Sequence, residues 1–272
     1  MQQAQPQSRQ HGAQLNTGRD NVTDNVSTLF SEQEWETRVQ LAACYRLVAH
    51  FGMSDLIYNH ITARIPGTDD HLLINAYGLM YDEITASNLV KIDLAGNVLG
   101  NTTEHGINAA GYVIHSAVHA ARHDVQCVIH THTRAGMAIS SLKCGLLPLT
   151  QTAMRFARIP YHDYESVALD LSERDRLVAD LGAYDSMILR NHGLLAVGPS
   201  IAQAFNTLYW LEMACKSQVD AMACGSELAM PSQAVIDKTH HLYQPTTRRP
   251  FGELEWPAMI RLMDRKDPGY KN

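Results

Sequence analysis

Two histidines separated by one residue are the first feature of this sequence that could do chemistry. They occur as His130-Thr131-His132 in an apolar stretch that predicts a buried strand. Because side chains alternate along a strand, both imidazoles project from one face and can share a cation. A third candidate ligand is His192, where another strand ends and Gly193 would permit a tight reversal. Three imidazoles predict a zinc-type site that iron or manganese could also occupy, although a His-x-His pair alone also fits an ordinary polar sheet face.

Other polar motifs in the sequence are weaker indications of function. His115 and His119 stand four residues apart on a predicted helix, as in zinc proteases, but Ser116 occupies the position where such enzymes need a glutamate base. We therefore do not expect a protease. The sequence also has no Gly-x-x-x-x-Gly-Lys phosphate loop. The run from Tyr161 to Tyr164 either lines a pocket or forms a polar loop.

Composition narrows the classes of function. The chain has 272 residues, 45% of them hydrophobic, so wholesale disorder is excluded. Lys and Arg total 22 against 28 for Asp and Glu, a net charge of −6 with no basic block, so we do not expect nucleic-acid binding. We expect a soluble cytoplasmic protein without a membrane partner, because no apolar run is long enough for a bilayer and no signal peptide opens the sequence. The five cysteines are odd in number and widely spaced, which favours reduced thiols.

The pattern of elements predicts how the histidines are held. Residues 1–31 are polar and predict a flexible tail, residues 32–244 predict the folded domain, and residues 245–272 predict a surface-lying arm. Three apolar residues could anchor this arm: Trp256, Ile260 and Met263.

Helical spacing begins at Glu32 and can end at Gly52. A second long helix is predicted from a capping box at Ser200 and Gln203 to a C-cap at Gly225. Residues 56–65 and 72–75 predict one hairpin, and residues 90–94 and 98–99 predict another. Short strands joined by hairpins, with helices between them, predict a mixed or antiparallel sheet covered by helices.

Four motifs occur in an order that resembles a known family. They are Tyr58–Arg64, Gly111–Ala117, Asp124–Gly136 and Leu189–Gly193. With them the sequence resembles the class II aldolase/adducin family, and within it most closely the adducin head domain and its bacterial relatives. The similarity runs from about residue 32 to residue 225. It extends only weakly into the predicted arm.

The resemblance implies a fold and a cofactor. The fold would be a three-layer α/β/α domain with a central, largely antiparallel nine-stranded sheet, and enzymes of the family are commonly homotetramers. The family's zinc-binding histidines correspond to His130, His132 and His192. We therefore expect a divalent metal, first zinc, with manganese or Fe(II) as alternatives. In the family's aldolases this metal polarises oxygens of a small-molecule substrate.

Departures from the family pattern argue against a sugar-phosphate substrate. The aldolases carry a glutamate base where this chain has Gly111, and a glycine cannot move a proton. The two serines that hold the substrate phosphate correspond to Ala109 and Ala110, and a glycine-asparagine pair of the phosphate loop appears as Asn59-His60. A dianionic phosphate without those donors would bind poorly.

These comparisons give a set of expected site residues. Proton transfer is assigned to His115, one helical turn after the missing glutamate, or to His60. The expected substrate-binding positions are Asn59, Gly78, Gly111 and Tyr161.

Three functions remain open at this point. The first is a metal-dependent lyase acting on a small non-phosphorylated carbonyl or carboxylate compound, by retro-aldol cleavage or decarboxylation. The second is a non-haem iron oxygenase of the same fold acting on an aromatic acid, with His115 as a fourth imidazole. The third is a non-catalytic, adducin-like binding protein. We do not expect actin binding, because the sequence lacks the long basic tail of adducins.

Overall fold

The structure is a computed structural model that describes residues 29–165, 172–247 and 249–272. Apart from residues 29–31, the predicted tail lies outside the described residues. Eight α-helices are described: α1 Glu32–His50, α2 Ala109–Ala121, α3 Arg134–Ser140, α4 Gln151–Met154, α5 Glu173–Leu181, α6 Ile201–Ala223, α7 Gln233–Leu242 and α8 Trp256–Lys266. None of the helices in these parts of the chain combines the length and apolarity needed to cross a bilayer.

One mixed sheet forms the centre of the fold. Its strands are β1 His60–Arg64, β2 His71–Ile74, β3 Val90–Asp93, β4 Val98–Gly100, β5 Cys127–Thr131, β6 Tyr161–His162, β7 Ser186–Leu189 and β8 Gly193–Gly198. Their order across the sheet is β4-β3-β2-β1-β5-β8-β7-β6. All neighbouring pairs are antiparallel except β6 with β7, which is parallel. The predicted hairpins β1–β2 and β3–β4 and the buried strand β5 are confirmed.

The strand count corrects one detail of the expected fold. Among the described residues the sheet has eight strands, whereas the resemblance implied nine. Asp55 and Tyr58 form only an isolated antiparallel bridge. Leu56, between them, has a positive φ of 48°, which interrupts the extended backbone that a strand requires. The three-layer α/β/α architecture itself is present.

Helices cover both faces of the sheet and bury two different kinds of surface. On one face α1, α3, α4 and α6 enclose the larger apolar core, into which β1 sends Ile61 and Ala63. On the other face α2 and α5 pack over a smaller core. The alternate residues of β1 on this second side are His60, Thr62 and Arg64, all buried. A polar layer therefore lies between β1 and α2.

The two long predicted helices form as the capping signals indicate. The Oγ of Ser31 accepts a hydrogen bond from the Glu34 amide at 3.2 Å, and α1 is followed by Gly52 at φ 66°. The Oγ of Ser200 accepts from the Gln203 amide at 3.2 Å, which caps α6. Helices α1 and α6 thereby fix the apolar side of β1, β5 and β8, the strands that carry or adjoin the histidines.

The C-terminal segment contains a helix and contacts the core. Met263 of α8 is 2% exposed, and Tyr270, in a final 3₁₀ turn, is fully buried. The amide of Ala86 donates to the carbonyl of Tyr270 at 2.9 Å. Of the residues expected to anchor this arm, Trp256 and Ile260 are partly buried against the larger core. The segment is held by both apolar and backbone contacts.

Candidate metal centre

Three histidines meet at one end of the central strands β5 and β8. His130 is the fourth residue of β5, His132 follows the end of that strand, and His192 lies in the turn between β7 and β8. Strands β5 and β8 are paired, with Thr131 opposite Leu194. The turn at His192 is therefore adjacent to the end of β5.

The turn that holds His192 needs its glycine for a reason other than a positive φ. Asn191, not the glycine, has the positive φ, 54°. Gly193 is required because a Cβ there would stand 2.3 Å from the carbonyl oxygen of Thr131. Only glycine allows the backbone of this turn to approach β5 so closely. Gly193 thus sets the distance between His192 and the other two histidines.

The three imidazoles point their Nε2 atoms at one another. The Nε2 of His132 is 2.8 Å from that of His130 and 2.9 Å from that of His192. All three ligand atoms lie within 4.8 Å of one another, and within the described residues this is the one group of three or more potential ligands that meets that criterion. Metal–imidazole bonds of about 2.0–2.1 Å would let one cation contact all three atoms. We call these residues the outer histidines.

The contacts of the Nδ1 atoms determine whether each Nε2 atom carries a proton or a lone pair. The Nδ1 of His130 is 2.9 Å from the carbonyl oxygen of Leu194, and the Nδ1 of His132 is 3.2 Å from a carboxylate oxygen of Asp55. Both oxygens are acceptors, so each neutral ring carries its proton on Nδ1 and has a lone pair on Nε2. Two lone pairs 2.8 Å apart repel each other, and a shared cation would remove that repulsion. The donor set therefore fits a divalent metal, and Asp55 and the Leu194 carbonyl would orient the ligand rings through their Nδ1 atoms.

The electrostatic environment keeps His130 and His192 neutral. Burial lowers the pKa of His130 well below its ordinary value, and the nearby His192 and His132 lower it further. Burial, followed by the proximity of His132, lowers the pKa of His192 to about 4. A metal ligand must be an unprotonated imidazole. At neutral pH both rings are available for coordination.

A second group of histidines lies behind the first, in the polar layer between β1 and α2. It consists of His60, His115 and His119, and we call these residues the inner histidines. The ring centroid of His60 is 6.0 Å from that of His130 and 4.6 Å from that of His115. His60 is 5% exposed, and His115 and His119 are fully buried. Of the two residues expected to transfer protons, His60 thus lies beside the outer histidines, and His115 lies behind His60.

Burial also dominates the protonation of this second group. It lowers the pKa of His60 and that of His119 to about 3, and that of His115 well below its ordinary value. Within the part of the chain that the structure describes, both ring nitrogens of His60 and the Nε2 of His115 make no hydrogen bond. Buried polar atoms without partners are rare and indicate a functional or ligand-dependent role. The inner histidines are therefore neutral and partly unsatisfied.

Two of the four expected substrate-binding positions lie at the same end of the sheet. Asn59 has a positive φ of 67°, its side-chain oxygen accepts from the amide of His132 at 3.2 Å, and its Nδ2 is a buried donor without a partner. Gly78, in the turn after β2, has φ 117°, and a Cβ there would stand 3.2 Å from the Nδ1 of His105. The structure connects Asn59 directly to the outer histidines, whereas Gly78 lies in the adjoining turn.

The remaining expected positions are placed differently. The hydroxyl of Tyr161 accepts from the amide of Leu146 at 2.8 Å, and its ring packs under the guanidinium of Arg190, so it supports a loop on the apolar side. Tyr164 is the aromatic residue that reaches the cluster, with its ring 5.9 Å from that of His192. Gly111 lies in the first turn of α2, four residues before His115.

Sequence reasoning missed two residues that act on the site. Asp55 pairs with His132 from a loop 77 residues away in sequence and belongs to no motif that signals this role. Thr62 contacts both His115 and His119 through its hydroxyl. The alternation of β1 places Thr62 on the same face as His60, and this was the one available signal.

Comparison with known proteins finds the family that the sequence motifs resemble. Residues 39–219 match the family model described as "Class II Aldolase and Adducin N-terminal domain". A crystal structure of an aldolase II superfamily protein from Pseudomonas syringae is 52% identical, with a TM-score of 0.87, and the alignment covers 91% of this chain and 100% of that one. An L-fuculose 1-phosphate aldolase from Glaciozyma antarctica is 27% identical, with a TM-score of 0.77 and coverage of 89% and 93%. Alpha-adducin from Rattus norvegicus is 39% identical over 88% of this chain, which spans 34% of that longer protein.

Proposed function

Because the chain belongs to the class II aldolase and adducin N-terminal domain family, we propose that it is a metal-dependent lyase. Its substrate is a small non-phosphorylated carbonyl or carboxylate compound, cleaved between two carbon atoms by retro-aldol reaction or decarboxylation. The observation that supports this most strongly is the convergence of three imidazole Nε2 atoms. In two of these three rings the Nδ1 atom faces a hydrogen-bond acceptor. Zinc is the preferred metal, with manganese and Fe(II) as alternatives.

The metal would be held by the outer histidines. When bound there, a divalent cation polarises a substrate oxygen and stabilises the electron pair left as the carbon–carbon bond breaks. Asp55 and the Leu194 carbonyl keep the rings of His132 and His130 in the tautomer that coordination needs. These two hydrogen bonds support the metal-binding part of the proposal.

Proton transfer falls to the inner histidines, because Gly111 has no acidic side chain. His60 lies nearest the metal site, and its neutral ring can accept a proton at one nitrogen and donate from the other. In a retro-aldol cleavage it would take the proton of the substrate hydroxyl and return a proton to the carbon that keeps the bonding electrons. In a decarboxylation only the second of these transfers is needed, and the ring would recover its proton from water. His115 contacts His60 from behind and supports it.

Substrate binding is proposed for the buried amide of Asn59. Its Nδ2 is a hydrogen-bond donor without a partner, next to His132. An N–H group suits a carbonyl or carboxylate oxygen of a substrate already oriented by the metal. Ala109 and Ala110 supply no hydroxyl donors for a phosphate. These features favour a small oxygen-rich substrate without a phosphoryl group.

The experiment that tests this function is a substrate screen with the metal-loaded protein. Hydroxy and keto acids would be incubated with zinc-, manganese- or Fe(II)-loaded enzyme, and carbonyl products and carbon dioxide would be measured by mass spectrometry. We expect cleavage that disappears in the His130→Ala and His132→Ala variants and persists in His50→Ala, an exposed histidine at the end of α1. Turnover that survives in either ligand variant would contradict the proposal.

Two alternatives have specific support. The 39% identity to alpha-adducin favours a non-catalytic binding role, which a screen without any turnover would strengthen. His60, and not the expected His115, is the fourth imidazole next to the outer histidines, with its ring centroid 6.0 Å from that of His130. These four imidazoles favour an Fe(II) oxygenase, which would consume dioxygen with an aromatic acid. A lyase requires no dioxygen, so an oxygen electrode separates these readings. We further propose a cytoplasmic homotetramer, for which light scattering should give the mass of four chains.

A further inference from the structure

The metal ligand His132 lies just outside β5, so groups from other elements must hold its backbone. Strand β5 ends at Thr131, and the amide of His132 donates to the side-chain oxygen of Asn59 at 3.2 Å. The next residue, Thr133, begins the turn into α3 and is 4% exposed. Because the two residues are joined by one peptide bond, whatever holds Thr133 also limits where His132 can lie.

The hydroxyl of Thr133 connects this turn to the long helix α6. Its oxygen accepts a hydrogen bond from the amide of Gly136 at 3.1 Å, and its proton is donated to a carboxylate oxygen of Glu212. The other carboxylate oxygen of Glu212 is 3.3 Å from the Nζ of Lys216. An amide N–H can only donate, and a carboxylate beside an ammonium group accepts, so the contacts fix the direction of both bonds.

Glu212 is a carboxylate in a place where burial makes an unpaired charge unfavourable. It is 2% exposed, on a helix whose residues Leu208 and Leu211 belong to the larger apolar core. Burial raises the pKa of Glu212, whereas the hydrogen bond from Thr133 and the charge of Lys216 lower it. A buried carboxylate reduces stability unless its oxygens are paired, and here both are. An apolar side chain would fill the space without that cost, so the contribution of the carboxylate lies in its bond to Thr133.

The first turn of α3 also supports a second metal ligand, His130. A Cβ at Gly136 would stand 2.7 Å from the Cγ of Leu194, so glycine lets α3 lie directly against β8 at this residue. The carbonyl oxygen of Leu194 is 2.9 Å from the Nδ1 of His130. The bond between Thr133 and Glu212 therefore holds a turn that follows one ligand and contacts the partner of another.

We propose that Glu212, acting through the hydroxyl of Thr133, positions His132 for metal binding. Helix α6 has 23 residues and is capped by Ser200, so it gives the turn after β5 a fixed point of attachment. Ligand distances in metal sites vary by only about 0.2 Å, so a small displacement of His132 weakens binding. Glu212 and Thr133 are positioning residues, because they act on the metal through His132. This inference rests on the proposed metal centre but not on the lyase reaction.

The test compares zinc affinity in matched variants by competition with a chromophoric chelator. Thr133→Val removes the hydroxyl and Glu212→Leu removes the acceptor, and we expect each to lower zinc affinity about tenfold, the low end of the range for groups that orient metal ligands. Thr133→Ser keeps the hydroxyl and Glu212→Gln keeps an acceptor oxygen, so both should bind zinc as the wild type does. The double variant Thr133→Val/Glu212→Leu should lose no more than either single variant, because both changes break the same bond.

A second readout separates positioning from a general loss of stability. Each protein would be loaded with Co(II), whose visible absorption depends on the coordination geometry, and we expect the bands to shift in Thr133→Val and Glu212→Leu. Thr150→Val is the matched control, because Thr150 caps α4 by accepting from the Ala153 amide at 3.1 Å, and α4 packs on α6 and α7. Loss of that cap should lower stability but leave zinc affinity and the Co(II) spectrum unchanged.

Wild-type zinc affinity and an unchanged Co(II) spectrum in folded Thr133→Val and Glu212→Leu would overturn the inference. Losses that add in the double variant would also overturn it, because the two residues would then act independently. If Glu212→Leu does not fold, as judged by circular dichroism, the comparison of Thr133→Val with Thr133→Ser decides. A wild type that binds no metal would overturn the metal centre and this inference together, whereas absence of turnover with zinc bound would contradict the lyase proposal alone.

Discussion

The outer and inner histidines contain the same side chain in the same fold, and they differ in what their ring nitrogens contact. In the outer group the three ligand nitrogens lie within 4.8 Å of one another, while the Nδ1 atoms of His130 and His132 face acceptors. In the inner group the rings are fully or nearly fully buried, and several nitrogens have no partner. Convergence with fixed tautomers favours coordination of a cation. Burial without partners favours movement of a proton, because each neutral ring retains a free acceptor or donor.

The largest effect should come from removing an outer ligand. His192→Ala leaves two imidazoles, and we expect zinc affinity to fall by more than about a hundredfold, beyond what loss of an outer partner costs. Competition with a chromophoric chelator measures it. In His50→Ala, the matched control at the exposed end of α1, the affinity should not change. Equal affinities for His192→Ala and wild type would remove His192 from the metal site.

The next effect concerns the acceptor behind His132. Asp55→Asn preserves the shape of the side chain but lets an amide N–H face the Nδ1 of His132, so the ring loses its fixed tautomer. We expect zinc affinity to fall about 10–100-fold, in the same chelator competition. Asp70→Asn is the control, because this exposed carboxylate lies in the turn between β1 and β2, at the opposite end of β1 from His60. An unaltered affinity in Asp55→Asn would show that the carboxylate does not orient the ligand.

The third prediction tests the close approach between β5 and the turn that holds His192. A methyl group at residue 193 would collide with the Thr131 carbonyl, so Gly193→Ala must separate β5 from the His192 turn. We expect a loss of about 2 kcal/mol in unfolding free energy, typical of overpacking, together with weaker zinc binding. Urea denaturation and metal titration measure the two. Gly225→Ala, where nothing lies within 4 Å of the added atom, gives a comparison for backbone strain without collision. If both variants lose the same stability and retain zinc, the contact is not important.

The fourth effect is a pH dependence of stability that belongs to the inner group. Burial lowers the pKa of His119 to about 3 from 6.5, so between these values the unfolded chain binds a proton that the folded chain does not. Folding stability therefore decreases as the pH falls below 6.5, by up to about 1.4 kcal/mol per pH unit from this residue. His119→Gln should show a shallower slope of stability against pH in urea melts from pH 6.5 to 4.5. Parallel slopes would mean that His119 is not buried as a neutral ring.

Much of the fold was predictable because local signals agreed with the long-range arrangement. Helical spacing that ends at Gly52, the Ser200 capping box and the hairpin turns located α1, α6 and the first four strands. The alternation of β5 placed His130 and His132 on one side. Sequence could not give the number of strands in the sheet, because pairing depends on backbone conformation such as the positive φ of Leu56. The resemblance supplied one strand too many for the described residues.

The site was predictable only in part, for a physical reason. The ligands were found through spacing and resemblance, but the partners of their second nitrogens come from distant segments, as with Asp55 and His132. Tyr161 was chosen for its polarity, yet strand alternation turns its side chain to the apolar layer and leaves Tyr164 beside His192. His119 was considered only as half of a protease motif. Its contact with Thr62 depends on how α2 packs on β1, which no local pattern records.

The most direct test of the account is the metal content of the protein itself. Wild type and the His130→Ala/His132→Ala double variant would be purified without chelator and without oxygen, and their metals measured by plasma mass spectrometry. The account predicts about one equivalent of a divalent metal, zinc first, in the wild type and none in the variant. A wild-type protein that binds no zinc, manganese or iron, even after addition of each ion, would contradict the central claim that the outer histidines form a metal centre.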